Sequence, residues 1–322
     1  MAPSRDTRQP GKQGEWYLGD AKKLREQLDG FLADVPDQID GNALPVPGAR
    51  VIIAPHAGYT YSGATAAWAY KALDLSKAKR VFLLGPSHTF YLADCAVTGY
   101  SNYGTPWGNL RVDRQVVDRL RDELDIPKIP TANDDREHSL EMHLPYLWVR
   151  LEQTFGASPD AFPPVVPILI GDNDEAGEKA VGKWLAEYLR DPDNAFIVSS
   201  DFCHWGRHFD YTVYSPDGTL DSLRKLRPVG PAPEGPPIHE TIKLVDDLAI
   251  EAIGTGRHGS FYNNLKQTKN TVCGRHPIGV TMAALEELGG GHRFKFIQYQ
   301  RSNLVTVPGD TSVSYVSAYA VV

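Results

Sequence analysis

Four segments place reactive side chains where apolar stretches end in polar clusters. They are Ile53-Ala-Pro-His56, Leu84-Gly-Pro-Ser-His88, Val198-Ser-Ser-Asp201-Phe-Cys-His204 and the loop Thr271-Val-Cys273-Gly-Arg-His276. In an open α/β sheet, loops beyond the carboxyl ends of adjacent strands converge, and ligands collect in the crevice between them. His56, His88 and the Asp201/His204 pair are therefore expected in one region. Neutral imidazole nitrogen and anionic sulfur donate well to zinc, iron or copper and poorly to magnesium or calcium. Two imidazoles and a thiolate suit such an ion, and three protein donors leave a coordination position open.

The spacing Asp201-x-x-His204 has two readings that do not exclude each other. The carboxylate can hold the imidazole Nδ1 and fix its tautomer, leaving His204 as general acid or base. Alternatively, Asp201 caps the following turn. The run from Asn133 to Pro145 carries Glu137, His138, Glu141 and His143. His138 and His143 are five apart and fall on different faces of a helix, unlike the i, i+4 pair of a zinc-protease helix. A polar helix start near the pocket is the expectation there. Neither Gly85-Pro-Ser87-His88 nor Gly58-Tyr-Thr-Tyr61-Ser-Gly63 matches a phosphate loop or a nucleophile elbow. Cys203 reads as a buried, inert thiol, and Trp16, Tyr61 and Trp205 as wall residues.

The elements that must position these groups follow from hydrophobic pattern. Continuous apolar runs at Arg50–Ala54, Arg80–Leu84, Val165–Ile170 and Ala195–Ser199 suit parallel strands covered on both faces. Helical spacing recurs at Asp20–Leu32, with Asp20 as cap, and at Gly63–Ala72, Arg114–Glu123, Ala176–Leu189, Ile238–Gly254 and Pro277–Leu288. Phe294–Gln300 and Ser312–Val322 alternate and read as an antiparallel pair. The sum is an α/β fold with a mixed, largely parallel central sheet flanked by helices. Residues 1–15 are expected to be disordered or extended, and 16–322 to form one domain with an exposed Pro-rich insertion at about 212–237.

With 322 residues and 42% hydrophobic content, the chain can bury a large core. Its net charge of −7 and the lack of any basic run argue against a nucleic-acid partner. No segment reaches the length of a membrane span, and no apolar stretch near the start suits a signal peptide. Three scattered cysteines, Cys95, Cys203 and Cys273, make no disulfide framework. Reduced thiols in the cytoplasm, with the nucleus as a second compartment, are expected.

The segments IIAPHAGYTYSG, LLGPSHTFYLADCAV, DDREHSLEMHLPY, VSSDFCHWG, NTVCGRHPIGV and DTSVSYVSAYA resemble blocks of the Memo family in the family's order. The likeness runs from Trp16 to the C-terminus. It implies a fold similar to the class III extradiol dioxygenases, non-haem iron enzymes that use two histidines and a glutamate. Carried onto this chain, the family's metal ligands fall on His56, His88 and Cys273, with Asp201 and His204 as the catalytic pair and Trp16 and Tyr61 at the pocket mouth. Sulfur in place of a carboxylate argues against ring cleavage and toward copper, iron or zinc. The resemblance implies a metal-binding redox protein linked to cell motility signalling. Its alternative is a non-enzymatic scaffold that binds phosphotyrosine-type peptides or a signalling protein, with a working dioxygenase as a third reading.

Overall fold

The structure is a computed structural model and describes residues 6–322. An eight-stranded mixed sheet forms its centre. In chain order the strands are β1 (Val51–Ala54), β2 (Arg80–Pro86), β3 (Cys95–Val97), β4 (Val165–Ile170), β5 (Asn194–Ser199), β6 (His204–Trp205), β7 (Lys295–Arg301) and β8 (Ser312–Ala320). Their order in space is β6-β8-β1-β5-β2-β4-β3, with β7 on β8. The central four, β1, β5, β2 and β4, run parallel, and the outer strands are antiparallel. Strands β1, β4 and β5 are buried along their whole length, which is why they read as unbroken apolar runs.

Register brings the strand-end residues together. Ala54 lies opposite Ser199, and Val198 is paired on its other side with Leu84. His56 and Asp201, each two residues past the Ala54/Ser199 pair, therefore leave the sheet side by side. His88 leaves the next strand over. This is the edge at which the crevice of an open parallel sheet forms.

Helices cover the sheet. Tyr59–Ala72 packs on β1, β7 and β8, while Arg275–Leu288 packs on β2 and β5 and is itself covered by Glu175–Leu189. The first helix, Ala21–Asp34, starts where Asp20 accepts a hydrogen bond from the Lys23 N–H at 2.8 Å. It buries Leu24, Leu28 and Leu32 at four-residue spacing. Among the described residues, no helix is long and apolar enough to cross a membrane.

Two boundaries differ from expectation. The disordered or extended terminus at 1–15 is, from residue 6 on, a docked strap. Thr7–Arg8 pairs in parallel with Asn102–Tyr103, and Arg8 is 1% exposed, held by the carboxylates of Asp134 and Glu141 at 3.2 and 2.8 Å. Polar composition suggested fraying because a buried ion-pair network leaves no apolar signature. Residues 1–5 of that segment lie outside the described residues. The exposed insertion expected at about 212–237 begins later, because Thr212, Tyr214 and Ser215 are buried. Val213–Tyr214 pairs with Arg224–Lys225, and the Tyr214 hydroxyl ties the Pro-rich loop back through the carbonyls of Glu234 and Pro236.

Candidate metal centre

Beyond the β1, β2 and β5 ends lies an open cavity of about 470 Å³. It is lined by Trp16, His56, His88, His138, Asp201, His204 and Cys273, with Ala57, Phe209, Thr271 and Val313. Donor atoms of His56, His88 and His138 lie within 4.8 Å of one another, and so do those of His56, Asp201 and Cys273.

Glycines make the approach of the outer loops possible. A Cβ on Gly274 would meet the Ser199 carbonyl oxygen and the Ser200 Cβ, both at 2.3 Å, so only glycine lets the Cys273 loop press onto the end of β5. Gly85 does the same for the 137–140 loop, where a Cβ would lie 2.6 Å from Ser139 Oγ.

The imidazoles share one hydrogen-bonding pattern. His56 Nδ1 sits 2.6 Å from Ser199 Oγ, whose own hydroxyl donates to the Ser139 carbonyl at 2.7 Å. The serine oxygen must then accept from Nδ1–H, and Nε2 keeps its lone pair. His88 Nδ1 is 3.1 Å from Glu137 Oε1. His204 Nδ1 is 2.8 Å from the Phe202 carbonyl and 3.0 Å from that of Thr271. In all three rings an acceptor takes Nδ1–H and leaves Nε2 unprotonated. Partners of this kind orient imidazoles that bind metals and raise their basicity.

Burial keeps the inner histidines neutral. Desolvation, with help from the neighbouring His88, pushes His56 well below the ordinary imidazole range and His138 down to about 3. Cys273 Sγ lies 3.2 Å from His56 Nε2 and accepts the Asp201 backbone N–H at the same distance. Burial, then the nearby Asp201 carboxylate, drives the Cys273 thiol far up, and burial raises Asp201 as well. Two acidic groups that resist ionisation side by side are an arrangement that a bound cation relieves.

Glu137 is the group that sequence reasoning passed over. Its carboxylate accepts the backbone N–H groups of His88, His138 and Ser139 at 2.7, 2.9 and 2.9 Å as well as the His88 ring. Burial works against its charge, yet these bonds hold it down to about 2 from an ordinary 4.5. A depressed carboxyl stabilises the fold above its unfolded value and loses that contribution as pH falls toward its folded one. Glu137→Gln is therefore expected to be less stable than the parent by about 2–4 kcal/mol at neutral pH. Urea unfolding across the acid range checks this, since the gap must narrow as pH falls from about 4.5 toward about 2. A gap of constant size would contradict the assignment.

Four readings of the sequence need correction. Asp201 does not hold His204, whose Nδ1 goes to two carbonyls. Its Oδ1 accepts the His56 backbone N–H at 2.9 Å and so fixes the β1 end instead. The helix start expected across 133–145 comes at its end, where the 3-10 turn Glu141–His143 leads into the helix Leu144–Phe155, so His138 lies ahead of it. The segment passes from one helical turn, Thr131–Asp134, through irregular chain to a 3-10 turn, Glu141–His143. His138 thus reaches the cavity, while His143 is buried with Nδ1 2.7 Å from the Tyr70 hydroxyl. Trp205 is no wall residue but the fully buried centre of a second core with Tyr211, Tyr214 and Ile242. Tyr61 lines an adjoining groove with Trp16 and Tyr315, not the cavity holding the histidines. Cys203 is buried, as expected, and burial raises its thiol strongly.

A family model described as Memo-like protein matches residues 8–319. A MEMO1 family protein of Schizosaccharomyces pombe is 38% identical over 322 residues, covering 98% of this chain and all of that protein. The protein MEMO1 of Homo sapiens is 38% identical over 311 residues, covering 96% of this chain and 95% of its own. MEMO1 of Danio rerio is 39% identical over 318 residues, covering 98% and 97%. A solved structure of an uncharacterized Escherichia coli K12 protein has 14% identity and a TM-score of 0.40, covering 83% of this chain and 98% of that one, too distant to bear on function.

Proposed function

The chain belongs to the Memo-like protein family, and from that premise we propose that the cavity holds one copper or iron ion on His56, His88 and Cys273 and serves redox chemistry. The observation that carries this reading is the shared pattern of the imidazoles, with Nδ1 engaged and Nε2 unprotonated around one cavity. The donor set fits, because imidazole with thiolate suits copper, iron and zinc, and zinc differs from the other two in having no redox role. A copper or iron ion bound there supplies one-electron chemistry.

The chain's own groups do the rest. Glu137 and Ser199 set the tautomers of His88 and His56. His204 Nε2 is free to take or give a proton beside the donors, since both partners of its Nδ1 are fixed carbonyls. Trp16, tilted against His138 with ring centroids 4.5 Å apart, closes one wall and limits water. All three cysteines are unpaired, which suits the reducing cytoplasm or nucleus in which this reading places the protein.

Capture of a phosphorylated peptide in the same cavity has less support. Phosphate sites use arginine clusters, whereas no lysine or arginine lines this cavity, Lys12 lying outside it over the Trp16 ring at 5.4 Å, and burial holds two of its histidines neutral. Anaerobic titration with copper(I) and iron(II), each against a chromophoric competitor, tests the choice. The expected result is one tight equivalent of at least one of them. Peptide affinity that persists in chelator, with no metal bound, would favour the scaffold.

A further inference from the structure

Resting on the metal-binding reading, we propose that His138 is an additional ligand, so that the cavity offers one ion two alternative donor sets that share His56 and His88. One set is all nitrogen, His56, His88 and His138. The other is the sulfur-carrying set of that reading, His56, His88 and Cys273, in which the Cys273 and Asp201 donor atoms lie within 4.8 Å of that of His56.

Three observations support His138. Its donor atom lies within 4.8 Å of those of His56 and His88. Its ring is packed between Trp16 at 4.5 Å and His88 at 4.2 Å, with His56 edge-on at 5.4 Å, so it is fixed in place and faces the cavity. Among the described residues its ring nitrogens make no hydrogen bond, the nearest carboxylate oxygen being Glu137 Oε1 at 3.7 Å. A mostly buried imidazole is usually hydrogen-bonded, and this one has its donor atom turned toward two others instead.

The sets are alternatives because of His56. Its Nδ1 is committed to Ser199, so Nε2 is its one available donor atom, and one neutral imidazole lone pair serves one ion. Ligand softness then decides between them. A soft ion such as copper(I) is drawn to the thiolate of Cys273, whereas a borderline ion such as cobalt(II) is well served by three imidazoles.

Competition titrations of the full chain with cobalt(II) and with copper(I), under anaerobic conditions, test this directly. In the wild type each ion binds at one equivalent and displaces the other, and cobalt(II) shows ligand-field absorption without a thiolate charge-transfer band. His138→Ala weakens cobalt(II) at least ~10-fold and leaves copper(I) within ~3-fold, and Cys273→Ser does the reverse. The retained affinity of each variant for the other ion reports that it is folded. An unchanged cobalt(II) affinity in His138→Ala, equal losses for both ions, or two ions bound at once would each overturn the proposal while leaving the metal-binding reading standing. A wild type that binds neither ion overturns both.

Discussion

Cys273→Ala lowers the affinity for copper(I) by at least ~100-fold, the upper end of the effect of losing a ligand-orienting partner, without a matching loss of stability. The asymmetry follows from what the sulfur touches. Within the protein Sγ meets the Asp201 backbone N–H and His56 Nε2, both at 3.2 Å, and the Asp201 carbonyl at 3.5 Å. Contacts of that kind contribute on the order of 1 kcal/mol to folding. Toward a soft cation the same atom is the one sulfur lining the cavity, and a bound cation favours its thiolate. Urea unfolding paired with a copper(I) competition assay separates the two effects. Equal affinity in the variant and the parent would remove Cys273 from the ligand set.

Glu141→Ala has the largest expected effect on stability, a loss of about 3–5 kcal/mol, because it leaves a buried guanidinium without its main counter-charge. Glu141 is fully buried and accepts Arg8 Nη1 at 2.8 Å, the Gly11 and Lys12 backbone N–H groups at 3.0 and 2.6 Å, and the Tyr17 hydroxyl at 3.0 Å. One carboxylate therefore fastens the strap that carries Trp16 to the cavity wall. Glu141→Gln keeps an acceptor and should fall between the parent and Glu141→Ala. Denaturant unfolding followed by tryptophan fluorescence reads both the stability and the release of Trp16. A cost below about 1 kcal/mol would mean that the strap holds without this network.

The strand ends were legible because each of β1, β2 and β5 is an apolar run that stops abruptly at Pro-His, Pro-Ser-His or Ser-Ser-Asp. A parallel sheet buried on both faces leaves that signature. Helix positions were legible for a similar reason, as with Asp20 capping the stripe Leu24, Leu28 and Leu32. The partners that hold the imidazoles were not. Ser199 lies 143 residues from His56, Glu137 lies 49 from His88 and Thr271 lies 67 from His204, so no local spacing connects them. His138 was discounted by helical geometry at a place where the chain is not helical, and Asp201 was matched to its neighbour in sequence when its real partner leaves an adjacent strand. The buried Arg8 network likewise looked like a polar tail, since charge pairing over more than a hundred residues has no periodicity.

The most direct test is the elemental content of the protein purified without chelator under anaerobic, reducing conditions, measured beside His56→Ala. Near-stoichiometric copper or iron is expected in the parent and its loss in the variant, since the His56 donor atom belongs to both donor sets. A parent that carries neither metal and takes up neither on titration would contradict the metal-binding reading.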